Sequence, residues 1–434
     1  MKRRLEDFRD IQRKLNYTFL NGVFLVINAI PDAYLLLDAP PCGYNKMYFV
    51  HKTHDLFSDL SRRNTTHRIC CTEVRPDDII HERDDQISRL MLRVAKEKDC
   101  GVVLVCSMPM ATITGTQYGL IADKAQKKTS IPLLEIPSKS LQMDWLGGYD
   151  ETLLAMAGKM DLKKNSQKSG NAAIVGYLFD RNEGDHIGNL NELARILAGL
   201  SLDLVSVWLS GCPFGRLRDI EKAKTIISLP YGRKAAREIA RKTGADLIEL
   251  DIPLGIENTK EWVCRIGSRL GRSKQAQTFI DEELKEVIPV NNLVAPEYIL
   301  GKTFSLAADP YLCHCLAGTL TDLGGKISQA VIFGTPQANK NIAFYKQPSF
   351  DIIYEPRYGE AFDLDTSKAD IFIGNSQISS LLRIKNNKKP FIELGFPSFN
   401  YHCLSVSPLW GFKGYVNFLN RIINSRGEGH EESQ

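Results

Sequence analysis

Tyr34-Leu-Leu-Leu-Asp-Ala-Pro-Pro-Cys-Gly43 is a short apolar run stopped by two prolines. A run of this length, bounded by Pro and Gly, reads as a buried strand ending in a tight turn. The same grammar returns at Gly101-Val-Val-Leu-Val-Cys106 and at Ile131-Pro-Leu-Leu-Glu-Ile136. Between the first two runs, Ile87, Leu90, Met91 and Val94 recur at helical spacing over Asp84 to Lys96. A second helix is expected over Asp150 to Met160. Strands apolar throughout and alternating with amphipathic helices indicate a parallel sheet covered on both faces.

The pattern continues outward. Asp161 to Gly170 is polar and short and reads as a linker. Strands are then expected at Ala172–Tyr177, Leu202–Trp208, Thr225–Leu229 and Asp246–Leu250, with helices at Leu190–Ala198, Arg233–Lys242, Thr259–Leu270 and Gln275–Val287. A third set follows, with strands at Thr303–Ala307, Gln329–Phe333, Asp351–Pro356, Asp370–Gly374 and Phe391–Leu394, and helices at Pro310–Leu323 and Ser379–Lys385. The fold class is therefore α/β with parallel sheets, in three units over residues 1–165, 166–290 and 291–434. Met1 to Asp10 mixes both charge signs and reads as a solvated first helix, and the polar tail from Ser425 to Gln434 as disordered.

A net charge of +4 over 434 residues is nearly balanced and gives no basic stripe for nucleic acid. No segment approaches the roughly 18 apolar residues of a membrane span. Acidic residues follow the first basic ones at once, so no secretory signal is read and a cytoplasmic location is expected. Ten cysteines in such a compartment call for a reading other than disulfides, and none forms a C-x-x-C pair. Cys100, Cys212 and Cys264 are expected to be small buried residues. Gly301-Lys-Thr303 lacks the upstream glycine of a phosphate loop and precedes a strand, and no G-x-G-x-x-G occurs, so no nucleotide is expected on this chain.

Four cysteines are placed differently. Cys42 follows Pro40-Pro41, Cys70 and Cys71 precede the segment before the first amphipathic helix, and Cys106 ends a strand. All fall at strand ends or loops of one α/β domain, where thiolates fixed on a rigid frame can ligate an iron–sulfur cluster. Adjacent residues in an extended stretch face opposite ways, so one of Cys70 and Cys71 is expected to ligate. His51, His54 and His67 read as residues of a solvated helix. Cys313-His314-Cys315 lies in a helical pattern where the three do not share a face. His402, in the segment after the last strand, is the candidate catalytic residue lining a pocket.

Leu37-Asp-Ala-Pro-Pro-Cys-Gly43, Asp77-Asp-Ile-Ile80, Val103-Leu-Val-Cys-Ser-Met-Pro109 with Ile113-Thr-Gly115, and Gly395-Phe-Pro-Ser-Phe-Asn-Tyr-His402 with Pro408-Leu-Trp-Gly-Phe-Lys-Gly414 together resemble the component 1 superfamily of nitrogenases. That superfamily includes dark-operative protochlorophyllide reductase and cofactor-assembly scaffolds. The resemblance implies three Rossmann-like domains and a 4Fe-4S type iron–sulfur cluster. It also implies an identical or homologous second subunit, and a separate ATP-dependent iron–sulfur protein that delivers electrons for reduction of a small molecule or tetrapyrrole-like substrate. A non-catalytic scaffold for a metallocofactor and a plain ligand-binding protein are the other functions open to such a chain. The departures are specific. Glu82-Arg83 replaces a Gly-Gly, the third cluster cysteine matches Met108 with Cys106 two residues earlier, and Ser228-Leu-Pro-Tyr-Gly232 lacks the cysteine that anchors a molybdenum–iron cofactor. Dinitrogen is therefore not the expected substrate.

Overall fold

The computed structural model of the chain describes residues 15–61, 67–164, 167–335, 349–357 and 365–425. The helix expected over Met1–Asp10 and the tail beyond 425 lie outside the described residues. The chain divides into two compact units, one of Thr18–Glu183 with Ser201–Leu250, the other containing Gly184–Leu200 and the chain from Asp251 onward.

The first unit opens with helix α1 (Phe19–Ala29), strand β1 (Ala33–Asp38), the single turn α2 (Gly43–Met47) and β2 (Ile69–Cys71). Then come α3 (Asp84–Val94), β3 (Val102–Ser107), α4 (Pro109–Thr112), α5 (Tyr118–Gln126), β4 (Leu133–Glu135) and α6 (Trp145–Lys159). The strands form a parallel sheet in the order β2-β1-β3-β4. Every residue of β1 and β3 is buried, as their unbroken apolar runs require. On one face, Leu36, Val103 and Val105 pack with Ile87 and Met91 of α3 and Tyr118 and Ile121 of α5.

Helix α1 carries no amphipathic signal because all eleven of its residues are buried. Its backbone touches that of α6. A Cβ on Gly22 would lie 1.8 Å from the Trp145 carbonyl oxygen, and one on Gly148 1.9 Å from that of Phe19. The carboxyl end of α1 is closed by Arg68, a fully buried guanidinium whose Nη1 donates to the carbonyls of Ile27 (2.7 Å), Ile30 (3.0 Å) and Ala33 (2.7 Å). Its Nη2 pairs with Asp59.

A second parallel sheet in the same unit contains β5 (Lys168–Val175), β6 (Asp203–Val207), β7 (Ala223–Ser228) and β8 (Asp246–Glu249), in the order β6-β5-β7-β8. The segment expected as a linker through Gly170 already contains the first residues of β5. A register break between Lys168 and Ala172, with Gly170 at φ +99°, hides the strand from a periodicity reading. Helix α7 (Gly184–Gly199), which belongs to the other unit, starts six residues ahead of the expected Leu190. Helix α8 (Arg233–Thr243) lies between β7 and β8.

The other unit adds α9 (Ile256–Arg269), α10 (Ser273–Tyr298), β9 (Thr303–Ala308), α11 (Pro310–Asp322), β10 (Lys326–Ile332) and β11 (Asp351–Tyr354). It ends with β12 (Ile371–Gly374), α12 (Ser376–Ile384), β13 (Phe391–Glu393) and α13 (Gly411–Asn424). Its five parallel strands run β11-β10-β9-β12-β13. Helix α10 continues past the expected Val287, through Pro289 and Pro296. Each proline forgoes one helical hydrogen bond, while Val294 and Ala295 are buried and Asn291 meets the Tyr415 hydroxyl of α13. At the end of β13, Glu393 Oε1 accepts from Ser376 Oγ (2.5 Å), Ser398 Oγ (2.7 Å) and the amides of Asn400 (3.0 Å) and Tyr401 (3.1 Å).

Each sheet is doubly wound. Its first strand is central and the chain leaves on one side before returning to the other, so a crevice opens at the carboxyl ends of β1/β3, β5/β7 and β9/β12.

Two outcomes follow from this packing. Gly148→Ala forces α1 and α6 apart and is expected to cost about 1–3 kcal/mol, read from the urea midpoint. Burial alone would raise the Glu393 pKa, but its donors outweigh that and hold it below the ordinary 4.5. Its stabilisation is present above that value and lost as pH falls through the folded pKa. Glu393→Gln should therefore unfold more easily than wild type at neutral pH, with the gap closing below pH 4.5.

Candidate functional site

The carboxyl edge of the first sheet is organised around Asp38, the last residue of β1, which has no solvent exposure. Arg83 donates to it bidentately, Nη2 to Oδ1 (2.8 Å) and Nη1 to Oδ2 (3.1 Å). Thr72 Oγ1 donates to Oδ1 (2.5 Å) and the Tyr118 hydroxyl to Oδ2 (2.6 Å). Burial, then the Asp38 hydrogen bond, raises the Tyr118 pKa, so it remains a donor. The Asp38 carbonyl accepts the Met108 amide (3.0 Å), and the Ala39 amide donates to Thr72 Oγ1 (3.2 Å). The Asp38 carboxylate thus ties the ends of β1 and β2 to the starts of α3 and α5, and its main-chain carbonyl adds the end of β3.

The cysteines stand on this frame. Pro40 and Pro41 carry the chain off β1 so that exposed Cys42 caps α2. Cys71, Leu37 and Cys106 share one register row across β2, β1 and β3. Cys71 lies directly under the first turn of α2. A Cβ on Gly43 would sit 3.1 Å from its Sγ and 2.9 Å from Leu37 Cδ2, which is why glycine follows Cys42. The Tyr44 hydroxyl accepts the Cys71 amide (3.2 Å) and also bonds its thiol. Cys42 and Cys71 are thus brought together.

Cys70 and Cys106 are not. Cys70 faces the other side of the sheet, against the core under α3 and α5, and its Sγ donates to the His67 carbonyl (3.3 Å). Cys106 is wholly buried, about 10 Å from Cys71 across two strand spacings, with Leu37 between them and Ser138 on its sulfur. Burial pushes the thiols of Cys71 and Cys106 up to about 12 and that of Cys70 to about 11. Metal binding at any of them must release a proton. Among the described residues, no group of three or more His, Cys, Asp or Glu side chains is arranged to hold a metal ion.

The other sequence candidates scatter. His51 and His54 are not on a solvated helix. The stretch is irregular, His51 meets Ser61, and His54 is fully buried with Nε2 3.1 Å from the Asp180 carbonyl. Cys313 and Cys315 are buried in α11 and His314 is half-buried. Cys100 is buried as expected, but Cys212 is half-buried and Cys264 is exposed on α9. His402 is half-buried after the Glu393-bound turn, beside buried Cys403. Tyr44 and the Asp38 network were not singled out from sequence, because their roles depend on segments far apart in the chain.

The family model for nitrogenase component 1 type oxidoreductases matches residues 19–426. The chain belongs to this family. It is 23% identical over 363 residues to the nitrogenase molybdenum-iron protein beta chain of Bradyrhizobium diazoefficiens, covering 74% of this chain and 68% of that one. The Azospirillum brasilense beta chain is also 23% identical, over 369 residues, covering 76% and 67%. The solved structure "Nitrogenase Cp1 at pH 6.5" superposes with a TM-score of 0.80 at 15% identity, over 98% of this chain and 94% of that one. The fold is shared. Within this nitrogenase component 1 member, Arg83, one of the departures from the family pattern, is the partner of Asp38. Met108, where the family's third cysteine would match, is half-buried and caps α4. No helix among the described residues is long and apolar enough to cross a membrane.

Removing Arg83 leaves a buried carboxylate without its counter-charge. Arg83→Met is expected to cost about 3–5 kcal/mol, measured by chemical unfolding, whereas Arg93→Met, in the last turn of α3, should stay within about 0.5 kcal/mol.

Proposed function

We propose that this chain is one subunit of a nitrogenase-like two-component reductase. It accepts electrons from a separate ATP-dependent iron–sulfur protein and passes them to a small-molecule or tetrapyrrole-like substrate. The reading is carried by one observation: Cys71 packs under the first turn of α2, at whose N-cap Cys42 stands, so cysteines of two distant segments lie near one another at the sheet's carboxyl edge. Thiolates are the donors that iron–sulfur clusters take, usually four to a cluster. Cys42 and Cys71 fit that role, while Cys70 and Cys106 are directed elsewhere. The remaining ligands then come from an identical or homologous second subunit. Tyr48, Ile113 and Leu141, on the loops after β1, β3 and β4, are exposed apolar residues and supply contact surface for it. A cluster there would supply one-electron relay.

The chain's own residues do the rest. Asp38 and its donors hold the strand ends rigid, Tyr44 orients Cys71, and Leu37 keeps Cys106 apart. His402 is the candidate residue at the substrate end, and the division into three α/β domains near residues 165 and 290 belongs to the same reading. The partial thiol set also suits a scaffold that holds a metallocofactor and passes it on.

Iron content and electron paramagnetic resonance after anaerobic reconstitution test the assignment. Cys42→Ala and Cys71→Ala are each expected to lower bound iron about tenfold, while Cys70→Ala and Cys106→Ala retain it. A wild-type protein that stays colourless, or iron that survives both of the first substitutions, would overturn the cluster. A loaded cluster without turnover, given partner, reductant and ATP, selects the scaffold.

A further inference from the structure

The edge strand β13 borders a cavity of about 330 Å³, enclosed by the end of α12, the 387–389 loop and Asn400-Tyr401. Its charge is one-sided. Arg383 and Lys388 line it with exposed side chains, and neither has an ion-pair partner among the described residues. Lys389 is a third cation, held in place by the carbonyls of Thr366 (2.7 Å), Ser367 (3.3 Å) and Ala369 (2.6 Å) rather than by an acid. The acid in the lining, Glu393, is taken up by its own donors: four on Oε1, as above, and Asn400 Nδ2 on Oε2 (3.0 Å).

A second observation points to an occupant. Asn387 Oδ1 accepts the Lys389 amide (2.9 Å), which fixes the orientation of the side-chain amide. Its Nδ2 is then buried with no acceptor. A buried donor in this position calls for an oxygen from outside the chain. The lining also includes Leu382, Phe391 and Tyr401, whose ring meets the Arg421 guanidinium at 4.3 Å. Cations, an amide and ring surface in one lining suit a ligand with an oxyanion at one end and an organic body at the other.

We propose that this cavity binds a phosphorylated small molecule. Arg383, Lys388 and the Asn387 amide take the phosphoryl oxygens, and the organic part lies against Phe391 and Tyr401. The site is independent of the cysteine edge and of any cluster there.

Isothermal titration calorimetry on the full-length chain, in phosphate-free buffer, tests this with phenyl phosphate, inorganic phosphate and phenol. Saturable binding is expected for phenyl phosphate, weaker binding for inorganic phosphate and none for phenol. Equal binding of phenyl phosphate and inorganic phosphate would assign the site to free phosphate and overturn the ester. The double variant Arg383→Gln/Lys388→Gln should weaken phenyl phosphate at least about tenfold, and Asn387→Leu should weaken it with no change in net charge. Lys260→Gln/Arg265→Gln, removing the same charge from α9, should leave it unchanged, with folding of each variant checked by circular dichroism. No saturable binding at about 1 mM ligand, binding by phenol alone, or equal loss in the α9 control would overturn the proposal.

Discussion

Asp38 is a carboxylate without solvent, and its charge is tolerable only because four donor contacts converge on it. Ion pairs of this kind contribute little net stability against an apolar alternative, yet their half-broken forms are costly. Its value therefore lies in geometry. Arg83 arrives from before α3, Thr72 from after β2 and Tyr118 from the start of α5, so three connections are tied to one point. The turn bearing Cys42 leaves β1 four residues later. Whatever the thiols hold, the precision of their placement is inherited from this junction.

Much of the architecture was legible because it rests on local apolar runs. β1 and β3 are buried on both faces, and α3 is amphipathic over the residues its spacing selected. Elements that break such patterns were not legible. α1 is buried all round and so has no periodicity, β5 enters through a kinked polar stretch, and α10 outlasts two prolines through tertiary packing. The same division runs through the candidate site. That Cys70 and Cys71 face opposite sides follows from extended backbone alone. Which of them meets Cys42 depended on the strand register, and the isolation of Cys106 depended on Leu37 standing between. Arg83, legible only as a departure from a family pattern, has a physical reason once Asp38 is seen beside it.

The three sheets solve one problem in two ways. The first two wind as 2-1-3-4 and the last as 3-2-1-4-5, and each opens its crevice beside its own first strand. Two of the positions where the sequence departs from the expected family pattern stand at the ends of such strands. Met108 follows β3, and Ser228, buried without a hydrogen-bond partner, ends β7. The fold is shared, and function resides in the groups placed on it.

Arg68 adds a different consequence. Strand β2 has three residues and lies at the sheet edge, where the fewest ladder bonds would ordinarily make it the first strand to peel away. Yet the guanidinium that enters the protein beside it closes the last turn of α1, the most deeply buried helix of its unit. Peeling β2 would pull that cap out and strip three carbonyls of their charged donor. The weakest edge and the deepest helix therefore open together as one cooperative unit.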